Sequence, residues 1–257
     1  MADTPNLAAA RVLVVGASAG IGRALARHAI AREGRVCIAG RRADRLMEVT
    51  GARPIQADLR RPDDCRRLVD EAVAHLGGLD LLVHSAGVGT LARMEHIDVE
   101  SWRNMYEVNA LGPALVTAAA LPHLSPDAIV VFLSSEATGQ TRWGLGGYAA
   151  SKAALDTSIR HWRVEHPERR FLRIEVGATT GTEFGDGFGA EVLGTAFDRW
   201  ISTGIQFEMM DVDALAQQMI AVLTVALAHP AIDVPDLVLD PRRAGWEEPH
   251  TDEMEQS

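Results

Sequence analysis

The stretch Arg11-Val12-Leu13-Val14-Val15-Gly16-Ala17-Ser18-Ala19-Gly20-Ile21-Gly22 decides how the chain folds. Its apolar run reads as a strand, and glycines at 16, 20 and 22 turn the backbone sharply into a helix over about Gly20 to Arg32. A second strand follows over Arg35 to Ala39, so the opening is a βαβ unit. The alternation continues with strand Ile55 to Asp58, a helix near Asp63 to His75 and strand Leu79 to Val83. A long helix near Asp98 to Leu121 comes next, with Asp98 as its N-cap and Pro122 just past its end. Strand Ala128 to Leu133, a helix from about Tyr148 to Glu165, strand Phe171 to Val176, a helix near Asp211 to Ala228 and strand Asp236 to Asp240 complete the pattern. Seven strands alternating with helices predict an α/β fold, a doubly wound parallel sheet with helices on both faces.

Residues 177–210 break this rhythm. They are rich in glycine and carry Phe184, Phe188, Phe197, Trp200, Phe207, Met209 and Met210, which reads as a mobile apolar lid. The expected organisation is one domain over 1–241 including the lid, then a polar, acidic tail over 242–257 that frays unless Trp246 docks. A length of 257 residues with 47% hydrophobic and 23% charged content suits one domain with a large core. The formal charge of -10 argues against a nucleic-acid surface. The N-terminal residues lack a basic segment followed by an apolar run, and no stretch of 18 uncharged apolar residues occurs, so a cytoplasmic protein with no membrane partner is expected. Cys37 and Cys65 make neither a disulfide framework nor a metal cluster, the nine histidines form no His-Glu-x-x-His pattern, and no metal is expected.

Of 25 basic residues only Lys152 is a lysine, and it lies four residues after Tyr148, one of two tyrosines. On a helix that spacing places both on one face, where a compact ammonium meets a phenol and lowers its proton affinity. The glycine turn has two chemical readings. In a dinucleotide site the bare backbone of Gly16, Ser18, Ala19, Gly20, Ile21 and Gly22 approaches a pyrophosphate at a helix N-terminus. In a hydrolase Gly16-Ala17-Ser18-Ala19-Gly20 is a nucleophile elbow with Ser18 attacking. Position favours the first reading, because the turn follows the first strand and no acid and histidine pair follows it. The second strand ends Ala39-Gly40-Arg41-Arg42, with two guanidiniums and no carboxylate, which favours the 2′-phosphate of NADP(H) over NAD(H).

Gly-x-x-x-Gly-Ile-Gly, Asp58-Leu59 after the third strand, Ala86-Gly87 after the fourth, Asn109 in a long helix, Ser135 after the fifth, and Tyr148 with Lys152 together resemble the short-chain dehydrogenase/reductase family. The resemblance runs from about Val12 to Pro241 and includes the thirteen-residue step from Ser135 to Tyr148. It implies a single Rossmann-type domain in which Tyr148 is the proton donor or acceptor. Lys152 would activate it and bind the nicotinamide ribose, Ser135 would meet the substrate oxygen, and Asn109 would hold a proton-relay water. Asp58 would bind the adenine, Leu59, Ala86 and Gly87 would line the cofactor, and Gly177 with Thr180 or Thr182 would close over it. The sequence departs from the family at Val15, at His84-Ser85 before Ala86-Gly87, and at Val176-Gly177. His84 is expected to be a satisfied structural residue with no catalytic role.

Carbonyl reduction needs a hydride on carbon, which the twenty side chains do not supply, and a proton on oxygen. Ser135 can donate to the substrate oxygen, although Ser134 competes for that place. Glu136 is expected to point outward or to pair with an arginine such as Arg142, with Trp143, Leu145 and the lid aromatics forming an apolar wall. The leading expectation is an NADP(H)-dependent oxidoreductase interconverting a carbonyl and a secondary alcohol on a hydrophobic small molecule. The alternatives are an NADP(H)-binding redox sensor without turnover and a serine hydrolase using Ser18. Resemblance also implies a homo-oligomer, dimer or tetramer, through the helices Asp98 to Leu121 and Tyr148 to Glu165.

Overall fold

Alternate residues of the first strand serve opposite faces, and this builds two cores. The computed structural model describes residues 7–205 and 208–242; Phe207, Trp246 and the tail from 243 lie outside the described residues. Strand β1 spans Arg11–Val15 and pairs in parallel with β2, Arg35–Gly40. Val12 and Val14 enter one buried cluster, and Leu13 and Val15 enter the other. That is the two-residue period of a strand covered on both sides. Helix α1, Gly20–Ala31, and helix α8, Val212–Ala228, cover the first face, where Leu25, Ala26, Met219 and Leu223 are buried. The second face is covered by α3, Pro62–Leu76, α5, Gly112–Ala120, and α6, Gly146–Glu165.

The remaining strands are β3, Ala52–Gln56, β4, Leu79–His84, β5, Leu124–Leu133, β6, Arg170–Val176, and β9, Asp236–Leu239. All seven pair in parallel in the order β3-β2-β1-β4-β5-β6-β9, so the expected doubly wound sheet is present. The order reverses between β1 and β4, and a cleft opens there at the carboxyl ends of the strands. No helix among the described residues is long and apolar enough to cross a membrane.

Three expectations are corrected. The third strand lies at Ala52–Gln56, ahead of the expected Ile55 to Asp58, with Val36 opposite Ala52 and Ile38 opposite Pro54. It is an edge strand, where proline is tolerated, so Pro54 does not end it. The long helix is interrupted. Asp98 caps α4, Val99–Tyr106, by accepting from Ser101 N at 2.7 Å, but a π-turn over Glu107–Leu111 separates α4 from α5. Pro122 falls within a 3-10 turn, Leu121–His123, and not past the end.

The lid, thirdly, is more ordered than its glycines suggest. It holds a 13-residue helix, α7, Ala190–Ser202, and its two ends are stapled by β7, Thr179–Thr180, paired with β8, Met210–Asp211. Leu193, Ala196, Phe197 and Trp200 recur at helical spacing, so one apolar stripe was present in the sequence. Ala196 and the buried Trp200 pack against Leu91 and Leu145, and Trp200 Nε1 donates to Trp143 O at 3.0 Å. A short helix α2, Ala43–Met47, completes the elements and follows the Arg41-Arg42 corner.

Candidate active site

The glycine turn is shaped by two close approaches. Gly16 has φ +95°, and a β-carbon on it would stand 2.3 Å from Ala86 N; one on Gly22 would meet Gly16 O at 2.4 Å. Any side chain there would drive β1 and β4 apart or lift α1 from the turn. Gly16, Ser18, Ala19, Gly20 and Ile21 line a cleft of about 830 Å³, whereas Gly22 lies beneath it as packing. Arg41, Arg42, Asp58, Leu59, Ala86, Gly87, Gly177, Thr180 and Thr182 line the same cleft. Arg42 Nη2 donates to Ser18 Oγ at 3.0 Å and pairs with the lid residue Glu183 at 2.6 Å. Asp58 is held by Arg60 at 2.5 Å, and that hydrogen bond keeps its carboxyl below the usual range.

At the other end of the cleft stand Tyr148 and Lys152, both on α6 and both buried. Ser135 lies two residues past β5 and caps a 3-10 turn over Glu136–Thr138, its Oγ accepting from Ala137 N at 3.2 Å. Burial pushes the Tyr148 phenol up to about 12, while a hydrogen bond with Ser135 acts in the opposite direction. Lys152 Nζ donates to Leu133 O at 2.8 Å, and burial pulls its amine down to about 8 against the attraction of Asp156. Both shifts have burial as their largest cause. Removal from water disfavours the charged form of each, which raises a phenol and lowers an amine.

Asn109 is fully buried at the π-turn and does not line the cleft. Its Oδ1 accepts from Val88 N at 2.9 Å, and its Nδ2 donates to Val88 O and to Ser151 Oγ, both at 2.8 Å. Ser151 Oγ donates in turn to Tyr148 O at 2.7 Å. Ser151, three residues after Tyr148, was not singled out in the sequence, although that spacing places it one helical turn along. A β-carbon on Gly87 would lie 3.5 Å from Lys152 Nζ, so the turn after β4 abuts the amine directly.

Glu136 is paired with Arg142 at 2.7 Å, as expected, but both are largely buried and neither points outward. Burial raises the Glu136 carboxyl, and its charge in turn adds to the rise at Tyr148. Arg142 lies 5.9 Å from the centre of the Trp200 ring, which joins this pair to the lid. His84 is buried and neutral, held near 3 by burial, with Nε2 3.0 Å from Thr117 Oγ1 and its ring stacked on Phe132 at 4.8 Å. Its Nδ1 has no partner, so the satisfied histidine expected is satisfied on one side only. Ser134 Oγ is likewise buried without a partner and bonds to neither Tyr148 nor Lys152. Among the described residues no histidine lines the cleft, so none of them is placed beside Ser18 as the base a hydrolase requires. Among the described residues no group of three or more His, Cys, Asp or Glu side chains is placed to hold a metal ion.

The profile of the short chain dehydrogenase family matches residues 10–188. The chain belongs to that family. Among its short chain dehydrogenase relatives, the 11-beta-hydroxysteroid dehydrogenase 1A of Arabidopsis thaliana is 36% identical over 171 residues, which cover 62% of this chain and 49% of that protein. The chain spans about half the length of the plant relatives of this kind. A short chain dehydrogenase from Burkholderia cenocepacia J2315, solved in complex with NADP, superposes with a TM-score of 0.79 at 26% identity, covering 91% of this chain and 98% of that one. An alcohol dehydrogenase from Thermococcus sibiricus, complexed with 5-hydroxy-NADP, shares the fold with a TM-score of 0.76 at 23% identity, covering 93% and 98%.

Proposed function

We propose that the protein is an NADP(H)-dependent oxidoreductase interconverting a carbonyl and a secondary alcohol on an apolar small molecule. The observation that carries this reading is one continuous cleft, with the Gly16–Gly22 turn and Arg42 at one end and Tyr148, Ser135 and Lys152 at the other. A dinucleotide phosphate fits the first end on three counts. The turn offers backbone without side chains, α1 presents its N-terminus, and Arg42 and Ser18 already bond to each other where a ribose phosphate would lie. When bound, the cofactor supplies the hydride. The protein's own residues do the rest.

Tyr148 exchanges the proton with the substrate oxygen, and Ser135, which lines the same end of the cleft, steadies the oxygen as charge develops. Lys152 spends one of three donors on Leu133 O, leaving two for a ribose hydroxyl and the phenol. Asn109 and Ser151 position the helix turn that carries Tyr148, through its carbonyl. Leu145, Phe188 and Trp200 line the cleft beside Tyr148 and favour an apolar substrate.

The test is NADPH consumption against a panel of aldehydes and ketones, with Tyr148→Phe alongside. Turnover by the parent and its loss in the variant is the expected result, and equal rates in both proteins would end the assignment. NADP(H) binding by calorimetry with no turnover on any carbonyl would instead favour the redox-sensor reading.

A further inference from the structure

Three consecutive lid residues touch three parts of the cleft. Thr182 packs on Gly20 in the glycine turn, its nearest atom 3.5 Å from where a β-carbon would stand. Glu183 Oε2 lies 2.6 Å from Arg42 Nη2, and that same nitrogen is 3.0 Å from Ser18 Oγ. The Phe184 ring lies 4.8 Å from the Tyr148 ring and blocks the space in front of Gly89. The lid therefore runs across the cofactor path from the diphosphate turn to the phenol, and at the adenosine end its Glu183 pairs with the guanidinium assigned to the 2′-phosphate.

We propose that Glu183 is a specificity-determining residue whose carboxylate occupies Arg42 in place of the 2′-phosphate, so that a phosphorylated adenosine, and not a plain one, releases the lid from the cleft. This rests on the NADP(H) reading above. A carboxylate and a phosphate monoester make the same charge-assisted hydrogen bonds, and two anions gathered on one guanidinium repel each other. The phosphate carries close to two negative charges and three acceptor oxygens, so it takes the guanidinium and repels Glu183. Release of Glu183 draws Phe184, its neighbour, away from Tyr148, which couples recognition at the adenosine end to access at the catalytic end. An adenosine without the phosphate leaves the Glu183–Arg42 pair intact.

The experiment uses the full chain with two probes that lack nicotinamide, 2′,5′-ADP and ADP. Hydrogen exchange of the lid amides over 181–188 is followed in the wild type, and both affinities are measured by calorimetry for the wild type and Glu183→Gln. Addition of 2′,5′-ADP is expected to speed lid exchange while ADP leaves it unchanged. Glu183→Gln is expected to bind 2′,5′-ADP about threefold to fivefold more tightly, the range for a partly exposed ion pair, with no gain for ADP. A wild type that prefers 2′,5′-ADP but shows no change in lid exchange, with affinities unaltered in the variant, overturns the role of Glu183 and leaves the cofactor reading standing. Equal affinity of the wild type for both probes removes the cofactor reading and this proposal with it. Should the variant fold poorly, the wild-type exchange comparison decides alone.

Discussion

Burial acts with opposite sign on the two ionisable groups at the end of the cleft. The phenol of Tyr148, at about 12, stays protonated across the neutral range, and the amine of Lys152, at about 8, is close to half charged in mildly alkaline buffer. Carbonyl reduction consumes the protonated phenol, so its rate is expected to stay level from about pH 6 to pH 7, below both values. Alcohol oxidation consumes the phenolate, whose fraction grows tenfold per pH unit below the pKa, and log kcat/KM for oxidation should climb with a slope near one through the neutral range. A plateau setting in below pH 7 would contradict this. Glu136→Gln removes one of the charges that raise the phenol and is expected to move the oxidation profile toward lower pH. The same shifts set the pH dependence of stability. Between about 8 and 10.5 the folded Lys152 binds fewer protons than the unfolded chain, so its contribution to stability rises with pH. Between 10 and about 12 the folded Tyr148 binds more protons, so its contribution falls. Lys152→Met removes the cost of the buried ammonium, and its thermal midpoint at pH 7 is expected to match or exceed the parent's while turnover is lost. A clear drop in midpoint would show that the Leu133 hydrogen bond outweighs desolvation. That Tyr148 and Lys152 share one helix was legible from a spacing of four; the direction of their pKa shifts was not, because burial depends on elements distant in sequence.

Among the elements, the break between α4 and α5 shows most clearly how the fold serves the site. The π-turn at Glu107–Leu111 sets Asn109 where both its amide groups meet the backbone of Val88. A regular helix would rotate that side chain away. Asn109→Ala is expected to lower unfolding free energy by about 2 kcal/mol in urea denaturation, since a buried N–H and C=O lose their partner. Loss of activity with unchanged stability would argue instead for a purely chemical role. The sequence showed a long amphipathic helix there and gave no sign of the turn, because one extra residue in a helix leaves the apolar spacing nearly intact. Strands covered on both faces were readable as apolar runs, whereas the edge strand β3, with Arg53 and Pro54, carries no such run. Helix α7 was hidden by glycines on either side of a stripe that had helical spacing all along.

Across the whole molecule, two cores hold the sheet and a third, smaller one holds the lid. The lid core contains Leu91, Leu145, Ala196 and Trp200, none of which belongs to either sheet core. Trp200→Ala is therefore expected to lower the opening free energy of α7 by about 3 kcal/mol, or roughly a hundredfold in amide exchange there, while β1 and β4 amides keep their protection. Equal acceleration throughout would mean that lid and sheet unfold as one unit. The doubly wound sheet followed from the alternation of strands and helices, and the family from motifs at strand ends, which are local in sequence. The lid contacts did not, since Glu183 and Arg42 are joined only by folding. Because Lys152 is the single lysine of 257 residues and is buried, growth on isotopically labelled lysine would yield one side-chain ammonium resonance, a background-free reporter of proton exchange and ligand arrival at the innermost end of the cleft.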